Sequence, residues 1–298
     1  MDHQESKSER EGISEEGEVS LGIGSLLGSE DGWKPFWARG KDLVGYSING
    51  LRSAGLGFET VGTERSSEVV RLVVEAAETR RILDACKAKG VKLCGALIAA
   101  GLIATYSSKH LENNRSETYS VVTLIDCRTI LEPALSDRDF GFYHSAILNT
   151  HSVNGEEGLW DLAIRCHNAY SNAKSNKKHL TDIGELNYLM CKAIENPHLT
   201  PSSSLRTAVI SVFEEPVILQ TSDVQKKLGV EDYIGCASVH GVGPSIAIFD
   251  TIRDGQLDCA CVYPSPLHSR KQINELVEHM KQILIEGSVN VEEEKELE

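Results

Sequence analysis

Residues 119–150, YSVVTLIDCRTILEPALSDRDFGFYHSAILNT, contain two strand patterns on either side of a proline-containing turn, and this arrangement decides the fold. YSVVTLID (119–126) is almost continuously apolar, which is typical of a strand in the interior of a sheet. FYHSAILNT (142–150) predicts a second strand. Asp126 and Arg128 follow the first strand, where a charge needs partners because burying it alone is costly. We therefore expect a salt bridge between them, with ligand binding as the alternative.

The tripeptide Asp139-Phe140-Gly141 has the same letters as a metal-binding signature of protein kinases. A kinase also needs a glycine-rich phosphate loop, a strand lysine and an upstream His-Arg-Asp loop, and the sequence contains none of these. Asp and Gly are also common where a surface loop ends. We therefore interpret the tripeptide as the loop end from which the second strand enters the sheet.

From Ser67 onwards the chain mixes strand and helix patterns. SEVVRLVVE (67–75) predicts a strand, and VKLCGALIAAGLIATYSSK (91–109) predicts a helix that is apolar nearly all round and therefore buried. The dipeptide Asp254-Gly255 predicts the turn of a hairpin. Further helices are expected at 76–90, 158–174, 179–196 and 269–287, and further strands at 205–213, 232–240, 245–252 and 256–263. The mixture predicts an α/β fold with a mixed β-sheet and flanking helices.

Charge is concentrated at the two ends of the chain. The net charge is −14 over 298 residues, and residues 1–18 carry seven acidic against two basic residues while residues 288–298 carry five against one. We predict that both segments are disordered acidic tails, because they contain little to bury. Residues 19–59 are predicted to be an extended crossover or linker segment. The near-neutral remainder has no electrostatic signature of nucleic-acid binding.

The sequence predicts a cytoplasmic protein without a membrane span. No run approaches the roughly 18 apolar residues that a membrane helix needs, and the N-terminus lacks the features of a secretory signal. Eight cysteines are scattered, mostly within apolar runs, as is typical of reduced core residues. Cys259 and Cys261 share one face of a strand, but no further ligands accompany them at metal-binding spacing. We therefore predict no metal site.

The standard catalytic templates do not fit. The sequence has no GxSxG, HExxH or Walker motif, which argues against the corresponding hydrolases, zinc proteases and NTPases. His144 lies in the second strand pattern and is interpreted as a core or rim residue, with a catalytic base as the alternative. His240 opens HGVGPS (240–245), whose glycines would let a ligand approach the backbone, although a connecting turn is the simpler interpretation.

Four segments together resemble a known family. They are KLCGALIAAGLIA (92–104), VVTLIDCR (121–128), FGFYHSAI (140–147) and the hairpin with its final helix (245–284). In this order they resemble the C-terminal half of the HxxxD-type acyltransferase superfamily, which includes chloramphenicol acetyltransferase, plant alcohol acyltransferases and peptide-synthetase condensation domains. More narrowly, they resemble plant condensation-domain-containing acyltransferase-like proteins. The resemblance implies that residues 60–287 form one condensation/acyltransferase-like half, in a family whose two similar halves enclose an acyl tunnel.

The resemblance also implies a catalytic histidine in an HxxxD motif, which would take a proton from the acceptor as that group attacks an acyl thioester. None of the ten histidines has an aspartate four positions on, and HLTD (179–182) has the wrong spacing. The DFGWG motif of the plant enzymes, expected near Leu205, is also missing. We therefore expect no catalytic residue of the family type in this chain.

Residue by residue, the resemblance assigns mainly structural and lining roles. Arg128 matches the family's arginine after its strand, and Gly141 matches the glycine that turns tightly at the strand entry. Ser145 falls near the position of a tunnel-lining asparagine in condensation domains. His144 and His240 are candidates to line the same cavity, without a role given by any motif.

Three hypotheses follow from these observations. In the first, the chain is the substrate-binding half of an acyltransferase, inactive alone, with acyl-CoA or a carrier thioester as co-substrate and no bound cofactor. In the second, it is a non-catalytic binding or regulatory module that pairs with an N-terminal half or a full-length homologue. In the third, another histidine, with His144 best placed, serves as the base.

Overall fold

The computed structural model describes residues 22–28, 34–61, 64–111, 115–136, 139, 141–196, 206–220, 223–230, 233 and 235–296. The predicted acidic tail at residues 1–18 lies outside these ranges. Within 19–59, where an extended segment was predicted, a short 3-10 turn covers Ile23–Ser25 and helix α1 covers Phe36–Arg52. Helix α1 begins directly after Pro35, a residue whose fixed φ is compatible with a helix start.

Within the described ranges, seven strands form one mixed sheet in the order β1-β7-β6-β4-β2-β3, with β5 paired to β6 beyond the end of β4. The strands are β1 (Ser66–Val74), β2 (Glu117–Asp126), β3 (His144–Val153), β4 (Ile210–Phe213), β5 (Val217–Leu219), β6 (Ile246–Arg253) and β7 (Gln256–Ser265). β4 runs parallel to β2 and β6, while β2 with β3, β6 with β7 and β1 with β7 are antiparallel. The predicted mixed α/β fold is therefore confirmed.

The two strand patterns that opened the sequence analysis are neighbours in this sheet. β2 lies between β3 and β4, as its nearly continuous apolar character predicted, and β3 is an end strand. The predicted hairpin is formed by β6 and β7. Asp254 and Gly255 both adopt positive φ values, 49° and 85°, as a two-residue turn between right-twisted strands requires.

One face of the sheet is covered by helices α2 (Ala76–Ala88), α3 (Leu93–Ser107), α4 (Leu159–Ser175) and α8 (Arg270–Glu296). Helix α3 is buried nearly all round, as predicted, and lies between the sheet and its helical neighbours. Gly101 allows this close approach, because a Cβ atom there would overlap the Cδ1 atom of Ile210 on β4. The main core forms between these helices and the sheet.

The structure corrects two predicted elements between residues 179 and 240. The helix expected at 179–196 is two helices, α5 (Lys178–Thr181) and α6 (Ile183–Glu195), because the Asp182 side chain turns inward to bond Lys34 and Tyr46 at the break. The strand expected at 232–240 is absent from Tyr233 and residues 235–240. There the N–H groups of Val239 and His240 donate to Ser67 Oγ, at 2.7 and 3.2 Å, instead of to a neighbouring strand.

The last helix does not end at Gly287. Helix α8 continues to Glu296, through most of the segment predicted as an acidic tail, and buries Ser288 and Val291. Gly287 lies against α4, since the Trp160 Nε1–H group donates to its carbonyl at 2.9 Å and a Cβ atom there would come 2.5 Å from Leu159 Cδ2. Close helix packing explains this glycine. The sequence analysis also missed the short helix α7 (Asp223–Leu228).

Among the described residues, no single helix has the length and apolarity to cross a membrane. Helices α2 and α3 pass that test only as a pair, by length and composition, and they meet at an angle of 102°.

Candidate functional site

The face of the sheet opposite α2, α3, α4 and α8, here called the open face, carries a row of aromatic rings. Phe142 stacks on His144 with ring centroids 4.8 Å apart, His144 meets Phe213 edge-on at 5.2 Å, and Phe213 contacts Phe249 at 5.5 Å. These four residues, called the aromatic row, run from the entry of β3 across the sheet to β6. Phe142 is 65% exposed and the other three are partly exposed. A connected apolar surface of this kind is typical of a binding site.

Alternation along the strands places these rings together. On β2 and β4, residues such as Val121, Ile210 and Val212 face the helices and are buried, so Leu124 and Phe213 face the other way. The sequence analysis missed Phe213 and Phe249. Each lies next to a core residue of its strand, Val212 or Ile248, so strand alternation would have placed both rings on the opposite face.

His144 is the polar member of the aromatic row. It pairs in register with Asp126 across β2 and β3, and its Nδ1 atom is buried without a hydrogen-bond partner among the described residues. Burial lowers the pKa of His144, the Arg128 charge lowers it further, and Asp126 opposes both effects. The imidazole is therefore neutral at pH 7 and can accept a hydrogen bond or pack against an apolar group.

Asp126 and Arg128 form the predicted salt bridge, with Arg128 Nη1 3.2 Å from the carboxylate. Arg128 Nη2 also donates to the Gly141 carbonyl at 2.8 Å, and its guanidinium lies 5.3 Å from the centre of the Tyr143 ring. A Cβ atom at Gly141 would come 2.7 Å from that ring. Arg128 and Gly141 thus fix the chain entry to β3, immediately before His144.

The remaining candidates lie elsewhere. Ser145 points to the helix side, is buried, and donates to the His179 carbonyl. His240 lies by β1, where its Nδ1 atom is 3.1 Å from Ser67 Oγ. β1, which carries Ser67, and β3, which carries His144, are five strand spacings apart, or roughly 24 Å across the sheet. The structure does not bring Ser145 or His240 into one site with His144.

The helix side of the β4 end carries a charged cluster that the sequence analysis did not identify. Glu214 is buried and accepts from Lys92 at 2.5 Å and from Lys174 at 2.5 and 2.7 Å. Burial alone would raise the pKa of Glu214, but the hydrogen bonds and charges of the two lysines prevail and lower it to about 2. Glu214 is therefore ionised and joins β4 to the start of α3 and the end of α4.

A cavity of about 690 Å³ lies on the helix side between the end of α3, the first turns of α8 and residues 55–57. Its lining includes His110, Glu275 and His279. None of the residues proposed from the sequence contributes to it. Among the described residues, no group of three or more His, Cys, Asp or Glu side chains is arranged to hold a metal ion.

Neither a scan of protein-family models nor a search of curated proteins finds a match. Solved structures do match. The chain is similar to the trichothecene 15-O-acetyltransferase from Fusarium sporotrichioides, with a TM-score of 0.61 and 14% identity over 90% of this chain and 55% of that one. It is also similar to a peptide-synthetase cyclization-docking bidomain from Sorangium cellulosum, with a TM-score of 0.60 and 12% identity over 89% and 50% of the two chains.

A third similar structure is the epimerization domain from the third module of tyrocidine synthetase B, with a TM-score of 0.54 and 15% identity over 84% of this chain and 56% of that one. The chain thus spans about half the length of each structure. At these identities the likeness shows the fold, which is the one shared by chloramphenicol acetyltransferase-like acyltransferases and condensation-type domains. The fold expected from the sequence resemblance is confirmed.

Proposed function

We propose that this chain supplies the thioester-binding half of an acyl-transfer protein, taking acyl-CoA or a carrier thioester, and that it does not transfer the acyl group alone. The aromatic row carries the proposal, because it offers a partly exposed apolar strip on a fold that acyltransferases share. An acyl chain laid along these rings would bury apolar surface on both sides, which favours binding.

The proposal gives His144 a binding role and not a catalytic one. A general base needs a nitrogen within reach of the acceptor proton and a pKa close to the working pH. The Nδ1 atom of His144 is buried, and burial makes its imidazole less basic than a free one. None of the ten histidines belongs to an HxxxD motif. The proton acceptor would therefore come from another polypeptide segment.

The test is binding of an alkyl-CoA thioether, an uncleavable analogue, measured by calorimetry on the full chain. We expect Phe213→Ala to weaken binding about tenfold, which corresponds to about 1.4 kcal/mol of lost apolar contact. Phe58→Ala removes a phenylalanine outside the aromatic row that is also partly exposed, and it should leave the affinity unchanged. Equal losses in the two variants, or no binding by the unmodified chain, would reject the aromatic row as the thioester site.

Turnover is tested separately by release of free CoA from acetyl-CoA and octanoyl-CoA in the presence of alcohol and amine acceptors. We expect release no faster than without protein. Turnover at an enzymatic rate that is lost in His144→Ala would instead establish His144 as the base.

A second candidate function is a non-catalytic module that pairs with a full-length acyltransferase homologue. Helix α1 favours it, because Phe36, Trp37, Val44 and Ile48 are 41–87% exposed and the last three lie on one helical face. Light scattering and binding of an apolar dye test this surface on the purified chain. A monodisperse monomer that binds no dye would contradict the pairing, whereas a complex with an added homologue that is lost in Trp37→Ser would support it.

We also propose that the protein works in a reducing compartment such as the cytoplasm. All eight cysteines are free thiols, and six of them are buried in the core. Burial raises the pKa of Cys86, Cys94 and Cys166 to about 12, so these thiols are unreactive packing residues. Unchanged stability on adding a reducing agent is the expected result.

A further inference from the structure

The junction between β4 and β5 contains a break in the sheet. β4 ends at Phe213, with Val212 in register with Ile248, and β5 resumes at Val217, in register with Thr251. Residues 213–216 therefore stand opposite only two residues of β6, Phe249 and Asp250. Such an insertion interrupts the backbone ladder and leaves part of β6 without regular pairing.

Asp250 lies at this break, and its side chain is buried. It is 3% exposed, and neither carboxyl oxygen has a hydrogen-bond partner among the described residues. On β6 it alternates with Ile248 and Ile252, both of which belong to the main core on the helix side. A lone carboxylate in such a place is costly, so the neutral acid is the form that the fold favours.

In the part of the chain that the structure describes, the groups around Asp250 do not supply a compensating positive charge. Helix α3 contributes Cys94, and β7 contributes Cys259 and Cys261, whereas Asp258 alternates with these core residues and faces the other side of the sheet. The break itself contributes Glu214 and Glu215. The nearby ammonium groups, those of Lys92 and Lys174, are already bonded to these glutamates.

Burial raises the pKa of Asp250 to about 7, and the Glu215 charge adds to the rise. The backbone N–H groups of Asp250 and Phe213 favour the ionised form and oppose the shift, but neither closes a hydrogen bond to the carboxyl group. The carboxyl group therefore loses its proton near neutral pH.

We propose that protonated Asp250 stabilises the closed β4–β5 junction, and that loss of this proton makes the junction open more readily and displaces Phe213 and Phe249. These two residues are the direct route for such an effect. Phe249 precedes Asp250 in the chain, Phe213 is the last residue of β4, and their rings touch on the open face at 5.5 Å. Asp250 is then a positioning residue for the aromatic row. The consequence for ligand binding rests on the proposed function, whereas the opening of the junction does not.

The first test is hydrogen exchange of the backbone amides of residues 212–219 and 247–252 in the full chain from pH 5 to 8.5, corrected for the intrinsic pH dependence of exchange. If opening exposes Asp250 to water, protection should fall about tenfold per pH unit up to about pH 7 and then level off. In Asp250→Asn, protection should not vary with pH. Asp258→Asn is the matched control, since Asp258 is also buried in the sheet but is bonded to Arg71, and it should keep the unmodified profile.

Protection that is independent of pH in the unmodified chain would overturn the proposal, and this measurement needs no variant to fold. The same pH dependence of protection in Asp250→Asn would overturn it as well.

The link to the aromatic row is tested with the alkyl-CoA thioether. Its affinity should fall between pH 6 and 8 in the unmodified chain but not in Asp250→Asn. If protection of the junction varies with pH but the affinity for the thioether does not, only the link between Asp250 and the aromatic row is overturned. If the thioether does not bind at all, the result counts against the proposed function instead.

Discussion

Replacing Glu214 with glutamine tests whether the charged cluster beside β4 holds the helices to the sheet. The Glu214→Gln side chain would keep nearly the same shape but lose the negative charge that Lys92 and Lys174 approach at 2.5 Å. Both ammonium groups would remain next to a neutral amide. The substitution therefore isolates the charge and leaves the packing in place.

The magnitude follows from the shift in acidity. The pKa of Glu214 is lowered from 4.5 to about 2, which corresponds to at most about 3.4 kcal/mol of stability at pH 7. The side chains of Lys92 and Lys174 are 36% and 39% exposed, so solvent screens part of this interaction. We therefore expect a loss of roughly 2 kcal/mol in the variant.

The sign of the pH dependence is fixed by the direction of the shift. Because the pKa is lower in the folded protein, the contribution of Glu214 is complete above pH 4.5 and is lost as the pH falls towards 2. Urea unfolding at pH 7 and pH 3.5 measures it, and the difference between variant and unmodified chain should shrink by about two fifths at the lower pH. A loss of less than about 0.5 kcal/mol, which is close to the error of the extrapolation, or an equal loss at both pH values, would refute the reasoning.

Three further predictions concern packing, docking and acid stability. Ile210→Ala should lower the free energy of unfolding in urea by about 2–5 kcal/mol, because the Ile210 side chain on β4 is fully buried against α3. A loss of less than about 1 kcal/mol, as for a surface substitution, would contradict that packing. Lys34→Met should make α1 sensitive to limited proteolysis, since Lys34 Nζ lies 2.5 Å from buried Asp182, and Lys41→Met, at an exposed position of the same helix, should not. Burial lowers the pKa of His268 to about 4, so folding favours its neutral form. The difference in unfolding free energy between the unmodified chain and His268→Gln should therefore change as the pH drops from 6.5 to 4, and a constant difference would contradict the lowered pKa.

The sequence predicted the elements in which apolar residues recur at the spacing of a buried helix or strand. Helix α3 is an example, because its apolar residues all round leave no alternative to a buried helix. β2 is another, since its nearly continuous apolar run indicated a strand that lies between two neighbours in the sheet. The hairpin at Asp254 followed from local turn chemistry alone. In each of these cases the deciding information lies within the segment itself.

The errors arise where a distant side chain decides the local structure. Asp182 breaks a helix that its own segment favours, because Lys34 and Tyr46 lie 148 and 136 residues away in sequence. The strand predicted around Val239 is replaced by hydrogen bonds to Ser67, 172 residues away. Helix α1 was missed because its large apolar residues are mostly exposed, so its sequence lacks the regular spacing of buried residues that marks a packed helix. A local sequence pattern contains no information about such distant partners.

The candidate site was predicted only where its residues are close in sequence. The sequence predicted a salt bridge between Asp126 and Arg128 and a tight turn at Gly141, but not the hydrogen bond by which Arg128 joins the two before His144. Phe213, Phe249 and Asp250 were not predicted, because they reach the site from strands that join it through the sheet order. A charged residue within the apolar strand SIAIFDTI is the signal that would have pointed to Asp250.

β4 connects the two faces of the sheet through alternate residues. Val212 and Glu214 face the helices, while Phe213 between them belongs to the aromatic row on the open face. A displacement of Glu214 can therefore reach the aromatic row through the neighbouring residue. The strand is only four residues long and is followed by a break, which gives it few backbone hydrogen bonds to resist displacement.

Glu214→Gln should therefore do more than lower stability. If the charged cluster holds the end of β4 in place, this variant should also weaken binding of the alkyl-CoA thioether, although Glu214 lies on the opposite face from the ligand. An affinity equal to that of the unmodified chain, in a variant that has lost the expected stability, would show that the two faces act independently.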